Sequence, residues 1–272
     1  TVVSPSGIYS DLEEGLRLKY DIKEAIVVEC SEDRDGAIMS RIGEAAAHFV
    51  EATLQPDEII GVSSWSETVL KMVENIHPLK LGRAKYVVQT LGGMGDPTVQ
   101  MHANHLTTRL AKLTGAEPRM LSAPGVAQSR EAKLVLLGDS YLRATMDLFS
   151  KITLAIVGVG TVAPSDMLAR SGNVFTSHEL SAVQEAGGTG DISLRFFDTH
   201  GNPIKSALDD RVIGMTLEEL AKVDRVIAVA GGHSKTPAIH GALKSKVIDL
   251  LITDKFTAER LVTGAIKHDE GD

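Results

Sequence analysis

Four short apolar runs in this chain each end at a turn of small residues, and that repeated stop restricts the possible folds more than any other feature. Glu58-Ile-Ile-Gly-Val-Ser63 runs into the turn at 61–66, and Tyr86-Val-Val-Gln-Thr-Leu91 into Gly92-Gly93-Met94-Gly95. Ile152 to Val157 stops at Gly158-Val-Gly160, and Val226-Ile-Ala-Val-Ala230 at Gly231-Gly232. The runs are apolar on both alternating sets of positions, as in strands buried on both faces. Segments of helical period lie between them: 38–53 with Ile42, Ala45, Ala46 and Phe49 on one side, 67–76, 99–114 with Met101, Leu106, Leu110 and Leu113, and 236–244. Strand and helix in alternation describe an α/β domain, a parallel sheet with helices on both sides. Ligands of such sheets sit beyond the carboxyl ends of the strands, so the four turns are expected to share one rim.

The remaining pattern fits around this frame. A helix carrying Leu12 and Leu16 leads into a strand at Ala25–Val28, and Met120-Leu121 is a short strand before the Pro124-Gly125 turn. Helices are expected at Glu131–Leu136, Ser140–Phe149, 165–169 and 178–186. Ile192–Phe197 and Ile204 form a hairpin around Asp198–Asn202, and Thr216-Leu-Glu-Glu219 has the spacing of a capping box. Val247–Thr253 is the last strand, Thr257–Thr263 the last helix, and His268–Asp272 a frayed tail. Without internal repeat or linker, residues 1–272 read as one domain, with a small lid placed within 92–150.

Composition removes several function classes. The formal charge is −8 and no Lys/Arg cluster is present, which argues against a nucleic-acid surface on this piece. Cys30 is the sole cysteine, so no intrachain disulfide or thiolate metal site is possible, which suits a reducing cytoplasm. No apolar run is long enough to span a bilayer and no signal peptide is written. The chain starts at Thr1, as expected of a processed protein or a piece of one.

Polar residues gather at the turns. Gly231-Gly232-His233-Ser-Lys235 precedes a helix starting near Thr236, with Pro237 in its first turn. Helix N–H groups and the Lys235 charge favour an anion there, a sugar or sugar phosphate; the alternative is an ordinary strand–turn–helix corner. Ser64, Trp65, Ser66, Glu67 and Thr68 stand at another helix start, where hydroxyls either cap N–H groups or hold a ligand. Trp65 either stacks on a sugar face or plugs the core. Asp191 accepts sugar hydroxyls or caps a loop. Gly158-Val-Gly-Thr-Val-Ala163 has dinucleotide spacing, but Pro164 delays the helix and no acidic second strand follows, so no nicotinamide cofactor is expected. His102 and His105 lack a third ligand, so no metal is expected, and His102 is the better candidate for a ligand hydrogen bond.

Taken in order, these segments resemble the SorC family of bacterial transcription regulators, in their C-terminal sugar-binding domain. The resemblance rests on Lys23-Glu-Ala-Ile-Val-Val28, Gly61-Val-Ser-Ser-Trp65, Leu91-Gly-Gly93, Ala103-Asn104 and Gly158-Val-Gly160. It continues through Gly190-Asp-Ile192, Phe196-Phe-Asp198, Val229-Ala-Gly-Gly232 with Lys235, and Leu251-Ile-Thr-Asp254. It implies a fold like the glucosamine-phosphate and ribose-phosphate isomerases and the CoA-transferases, and an effector-sensing module that forms a homodimer or homotetramer. A DNA-binding domain, absent from this chain, would lie N-terminal and meet the operator. Family effectors are sugars, polyols or their phosphates. By motif the resemblance carries ligand contact to Ser64–Thr68, Gly92, Gly93, His102, Asp191 and Lys235; Gly231, Gly232 and His233 are expected at the site from the glycine turn itself. Leu91 stands where bisphosphate-binding members have a basic residue, and Glu67 at a helix start disfavours a phosphate. The rival function is a sugar-phosphate isomerase or amino-sugar-phosphate deaminase, with Asp191 as base and His233 or His102 opening the ring.

Overall fold

The structure is a computed structural model that describes residues 9–79 and 84–266. The chain opens with α1 (Ser10–Tyr20), β1 (Glu24–Val28), α2 (Asp35–Thr53), β2 (Glu58–Val62), α3 (Glu67–Asn75), β3 (Ala84–Gln89), α4 (Pro97–Thr114) and β4 (Glu117–Arg119). It continues with α5 (Arg130–Leu136), α6 (Ser140–Met146), β5 (Leu154–Val157), β6 (Gly160–Thr161), α7 (Asp166–Ser171), α8 (Ser177–Glu185), β7 (Gly188–Ile192) and β8 (Arg195–Asp198). It closes with α9 (Leu217–Leu220), β9 (Arg225–Val229), α10 (Thr236–Lys244), β10 (Leu250–Asp254) and α11 (Lys255–Thr263).

Seven strands pair in parallel in the order β1-β10-β9-β5-β2-β3-β4. Successive side chains of a strand point to opposite faces, so Leu154 and Ile156 enter one core while Ala155 and Val157 enter the other. The first core takes Ile38 and Ile42 of α2, Val69 and Met72 of α3, and Leu106 and Leu110 of α4. The second takes Leu16 of α1, Leu220 of α9, Ile239 of α10 and Leu261 of α11. Helices therefore cover both faces, which is why the strands carry no polar alternation.

A smaller antiparallel sheet, β6-β7-β8, is inserted between β5 and β9. It shares a third core with Trp65, Leu91, Val99, Leu168, Phe175 and Phe196. Arg195, at 7% exposure, ties this sheet down: its guanidinium donates to the carbonyls of Met215 (3.3 Å) and Gly214 (3.2 Å) and pairs with Asp209 at 3.1 Å. Gly214 bridges Leu91, and Met215 N–H donates to Thr90 O at 2.7 Å. One buried cation thus links the smaller sheet to the main one through backbone carbonyls, where its five donors find acceptors.

Several expectations shift. The strand before Pro124 is Glu117–Arg119, not Met120-Leu121; it pairs with β3 at the sheet edge, where Pro118 is tolerated. The 192–197 segment is not one strand: it folds at Ser193-Leu194 between β7 and β8. A return at Asp198–Asn202 also forms, with Ile204 N–H donating to Phe196 O at 2.9 Å. The helix expected over Ser140–Phe149 ends at Met146, and a 3₁₀ turn follows at Phe149–Lys151. Within 92–150, where a lid was expected, α4 and β4 belong to the central layers, and the second sheet comes from 160–198. The capping box at Thr216 is present, with Glu219 N–H donating to its hydroxyl at 3.1 Å. The tail His268–Asp272 lies outside the described residues.

Candidate functional site

From β2 the chain moves outward to β3 and β4; β5 then returns to the other flank of β2 and the chain proceeds to β9 and β10. The order reverses between β2 and β5, and at such a reversal the loops diverge and leave a crevice. A cleft occupies this place, about 560 Å³ when the open solvent at its mouth is counted with it. The turn after β2 supplies Trp65, Ser66 and Glu67, and the turn after β5 supplies Gly160 and Ser165. The smaller sheet adds Asp191 and Ser193, and Lys235 enters from the start of α10.

Ser66 caps α3, its Oγ accepting the Val69 N–H at 3.3 Å, and Ser165 caps α7 in the same way with Leu168 N–H at 3.4 Å. The β5 turn passes between two polar groups at its glycines, Gly158 and Gly160. A Cβ on Gly158 would stand 2.3 Å from Ser66 Oγ, and one on Gly160 2.2 Å from Asp191 Oδ1. These distances are far below contact, so a side chain at either position would push Ser66 or Asp191 out of place.

Asp191 carries the strongest electrostatic signature. It is 8% exposed, and its Oδ2 accepts the Leu194 N–H at 2.7 Å. Burial pushes its pKa up to about 6; the Leu194 amide and the charge of Lys235 pull it back only in part. Desolvation favours the uncharged carboxyl, and one amide bond does not replace the lost water. The hairpin that positions it is strained, since Ser193 and Leu194 both adopt left-handed backbone (φ 53° and 63°) without being glycine.

The structure brings together Trp65, Ser66, Glu67, Asp191 and Lys235 of the residues singled out from sequence. The others lie off the lining. Ser64 is fully buried and donates to Leu91 O at 3.0 Å, and Thr68 is buried within α3. Gly92 packs on the Ala123-Pro124 backbone and Gly93 on Gln89. His102 is exposed on α4. Gly231 and Gly232 face Asp254 and Asp35 at a different part of the rim, and His233 is exposed. The Gly232 N–H donates to Thr257 Oγ1 at 2.8 Å and Asp254 Oδ2 at 3.3 Å, so protein side chains take this turn's own amide. Trp65 belongs to the third core, is 5% exposed and donates its indole N–H to Gly92 O at 2.8 Å, and it also borders the cleft.

Sequence reasoning missed Ser165 and Ser193. Ser165, following Pro164 and followed by an apolar helix, carries a cap signal that points to it. Ser193 carries none, because Ser-Leu is not a hairpin-turn pair. Among the described residues no group of three His, Cys, Asp or Glu side chains is placed to hold a metal, and no helix is long and apolar enough to cross a membrane.

Residues 6–263 match the protein family described as "Putative sugar-binding domain". The chain belongs to the SorC family. It is similar to the deoxyribonucleoside regulator of Bacillus subtilis (strain 168), 32% identical over 247 residues that cover 91% of this chain and 78% of that protein. Among solved structures, the sugar-binding domain of the transcriptional regulator DeoR from Pseudomonas syringae pv. tomato is 36% identical, with a TM-score of 0.74, covering 94% of this chain and 99% of that one. The full-length sorbitol operon regulator SorC from Klebsiella pneumoniae superposes with a TM-score of 0.86 at 25% identity, over 96% of this chain and 84% of its own. These SorC-family relatives are named as transcriptional regulators, so the isomerase alternative gives way to a regulatory, non-enzymatic role.

Proposed function

We propose that this SorC-family domain is an effector sensor that takes a small sugar, polyol or sugar phosphate into the cleft between β2 and β5. The observation that carries the proposal is the convergence there of Ser66, Glu67, Asp191 and Lys235 from separate segments of the chain. Hydroxyl and carboxylate oxygens matched to one ring, with an indole beside them, suit a polyhydroxylated ligand. Lys235 is the seat for a phosphate where the effector has one; Glu67 and Asp191 favour its hydroxyls. The names of the relatives, a deoxyribonucleoside regulator and a sorbitol operon regulator, point to the same chemical class.

The ligand spans parts that belong to different bodies: Ser66 is fixed to the main sheet, Asp191 to the smaller one, and Lys235 to α10. Occupancy therefore favours the arrangement in which all three meet, and a ligand that binds two arrangements unequally shifts their populations. In the full-length protein this shift passes to homo-oligomer packing and from there to the operator through a separate DNA-binding domain. A thermal-shift screen of sugars, polyols and their phosphates tests the proposal, followed by titration of Trp65 emission. A hit raises the melting temperature and changes the emission at the same ligand concentration. A panel in which no compound does either refutes it.

A further inference from the structure

The helix α5 is packed on one side only. Its sequence, Arg130-Glu-Ala-Lys-Leu-Val-Leu136, runs on into Leu137, so apolar residues occupy every position from 134 to 137. Successive residues stand about 100° apart on a helix, and such a run points to all sides of it. Leu136 and Leu137 turn inward, half-buried on the second core. Leu134 and Val135 turn outward and are 59% and 78% exposed; no residue of α5 is buried. A helix apolar all round is normally covered all round. The turn that follows is tight, with Gly138 N–H donating to Val135 O and Asp139 N–H to Leu136 O, both at 3.0 Å. It leads directly to Tyr141, 83% exposed at the start of α6. The other large apolar side chains exposed among the described residues, Leu18, Met94 and Met101, stand on α1 and around the start of α4.

We infer that a second copy of this chain docks on this face, the two α5 helices lying antiparallel about a two-fold axis. Charge selects that occupant. The chain carries −8 overall, so two copies meeting on most of their surface repel each other. The stretch 130–151 is the exception, with four basic and three acidic residues, close to neutral and mixed in sign. An isologous contact needs a patch that complements itself. Run antiparallel, the two helices set Arg130 of one copy against Asp139 of the other and Leu134 against Val135, each contact made twice. Tyr141 then closes both ends, an aromatic anchor beside the apolar centre. The face is also held ready. Ser129 Oγ caps α5 by accepting the Ala132 N–H at 3.1 Å, and Lys133 pins its inner side by donating to Asp209 O at 3.2 Å. Asp139 Oδ1 caps α6 through the Tyr141 and Leu142 amides, both at 2.9 Å. Little ordering is left for association to impose. This face gives the homo-oligomer packing proposed above a location, and its fate is separate from that of the cleft.

Sedimentation of the intact chain tests this over roughly 1–100 μM, where interfaces of modest strength dissociate. The wild type is expected to reach twice the chain mass at the upper end. Val135→Glu brings like charges into the centre of the contact, and Tyr141→Ser removes its aromatic anchor. Each should raise the dimer dissociation constant by roughly 30-fold or more, as at an interface hot spot. Both side chains are exposed, so the far-ultraviolet circular dichroism of each variant should match wild type. A wild type that stays monomeric throughout overturns the inference and leaves the face to a partner outside this chain. A dimer that persists unweakened in both folded variants overturns it equally, since the contact then lies elsewhere. Amide hydrogen exchange on the wild type decides the matter without any variant. Exchange over 130–147 should slow as protein concentration rises, and exchange there that is independent of concentration refutes the contact. None of these failures touches the effector cleft.

Discussion

Replacing Asp191 by Asn should make the protein more stable at neutral and alkaline pH while weakening its effector. The ordinary carboxyl value is 3.8, and burial moves this one to about 6. Below 3.8 the group is protonated folded or unfolded, and no penalty exists. Between 3.8 and about 6 the unfolded chain releases the proton while the fold retains it, so the penalty grows with pH and is complete above about 6. At about 1.36 kcal/mol per pH unit, the gap amounts to about 3 kcal/mol of stability lost to an ionised Asp191. The Asn side chain is uncharged and nearly isosteric, and its carbonyl still accepts the Leu194 N–H. At about 2–4 °C per kcal/mol for a domain of this size, the variant should melt up to about 6–12 °C higher at pH 8. The gain should shrink toward nothing as pH falls to about 4. Scanning calorimetry of both proteins across the range from about pH 4.5 to 8 measures this directly. A difference independent of pH, or an Asp191→Asn variant less stable than wild type at pH 8, would show that the carboxylate is not held ionised against its desolvation.

Four further outcomes are specific to named residues. Lys235→Ala should weaken a phosphorylated effector by about 1–3 kcal/mol and leave an unphosphorylated sugar nearly unaffected, as titration of a matched pair will show. Gly160→Ala puts a Cβ 2.2 Å from Asp191 Oδ1, so it should displace the carboxylate, destabilise the chain by about 1–3 kcal/mol and abolish the binding enthalpy; retained affinity would contradict the placement. Ser193→Asn, at φ 53°, should stabilise by about 0.5–1 kcal/mol in urea unfolding, because Asn tolerates left-handed backbone better than Ser. Leu106→Ala, fully buried between α4 and the sheet, should cost about 2–5 kcal/mol and leave effector affinity unchanged in the folded fraction.

The central sheet was legible because burial on both faces leaves unbroken apolar runs, and those runs sit at β1, β2, β3, β5, β9 and β10. The rim was legible for the same reason: parallel strands put every following turn on one side. Ser66, Glu67, Asp191 and Lys235 stood out as polar residues at or beside glycine turns, and the fold gathers them in one cleft. The Gly231-Gly232 corner has the local chemistry of an anion site, yet Asp254 and Thr257 reach its amide from the next strand and helix. No local pattern displays a competitor that arrives from another element. The Ser193-Leu194 turn was illegible for the opposite reason, since only surrounding contacts hold such residues in left-handed backbone. The smaller sheet suffered similarly: its β6 is two residues long and borrows its core from Trp65 and α4.

The convergence of Ser66, Gly160, Asp191 and Lys235 also means that no fragment of the chain owns the cleft. It comes into being only after β2 has registered against β5, with Ile60 opposite Leu154, and after Gly190 of β7 has settled on Ala238 of α10. An unfolded molecule offers an effector nothing to grip, so titrated binding sites count intact molecules. For the same reason a saturating ligand acts as a folding aid: at about one hundred times its dissociation constant it returns about 2.7 kcal/mol, enough to rescue many single core lesions.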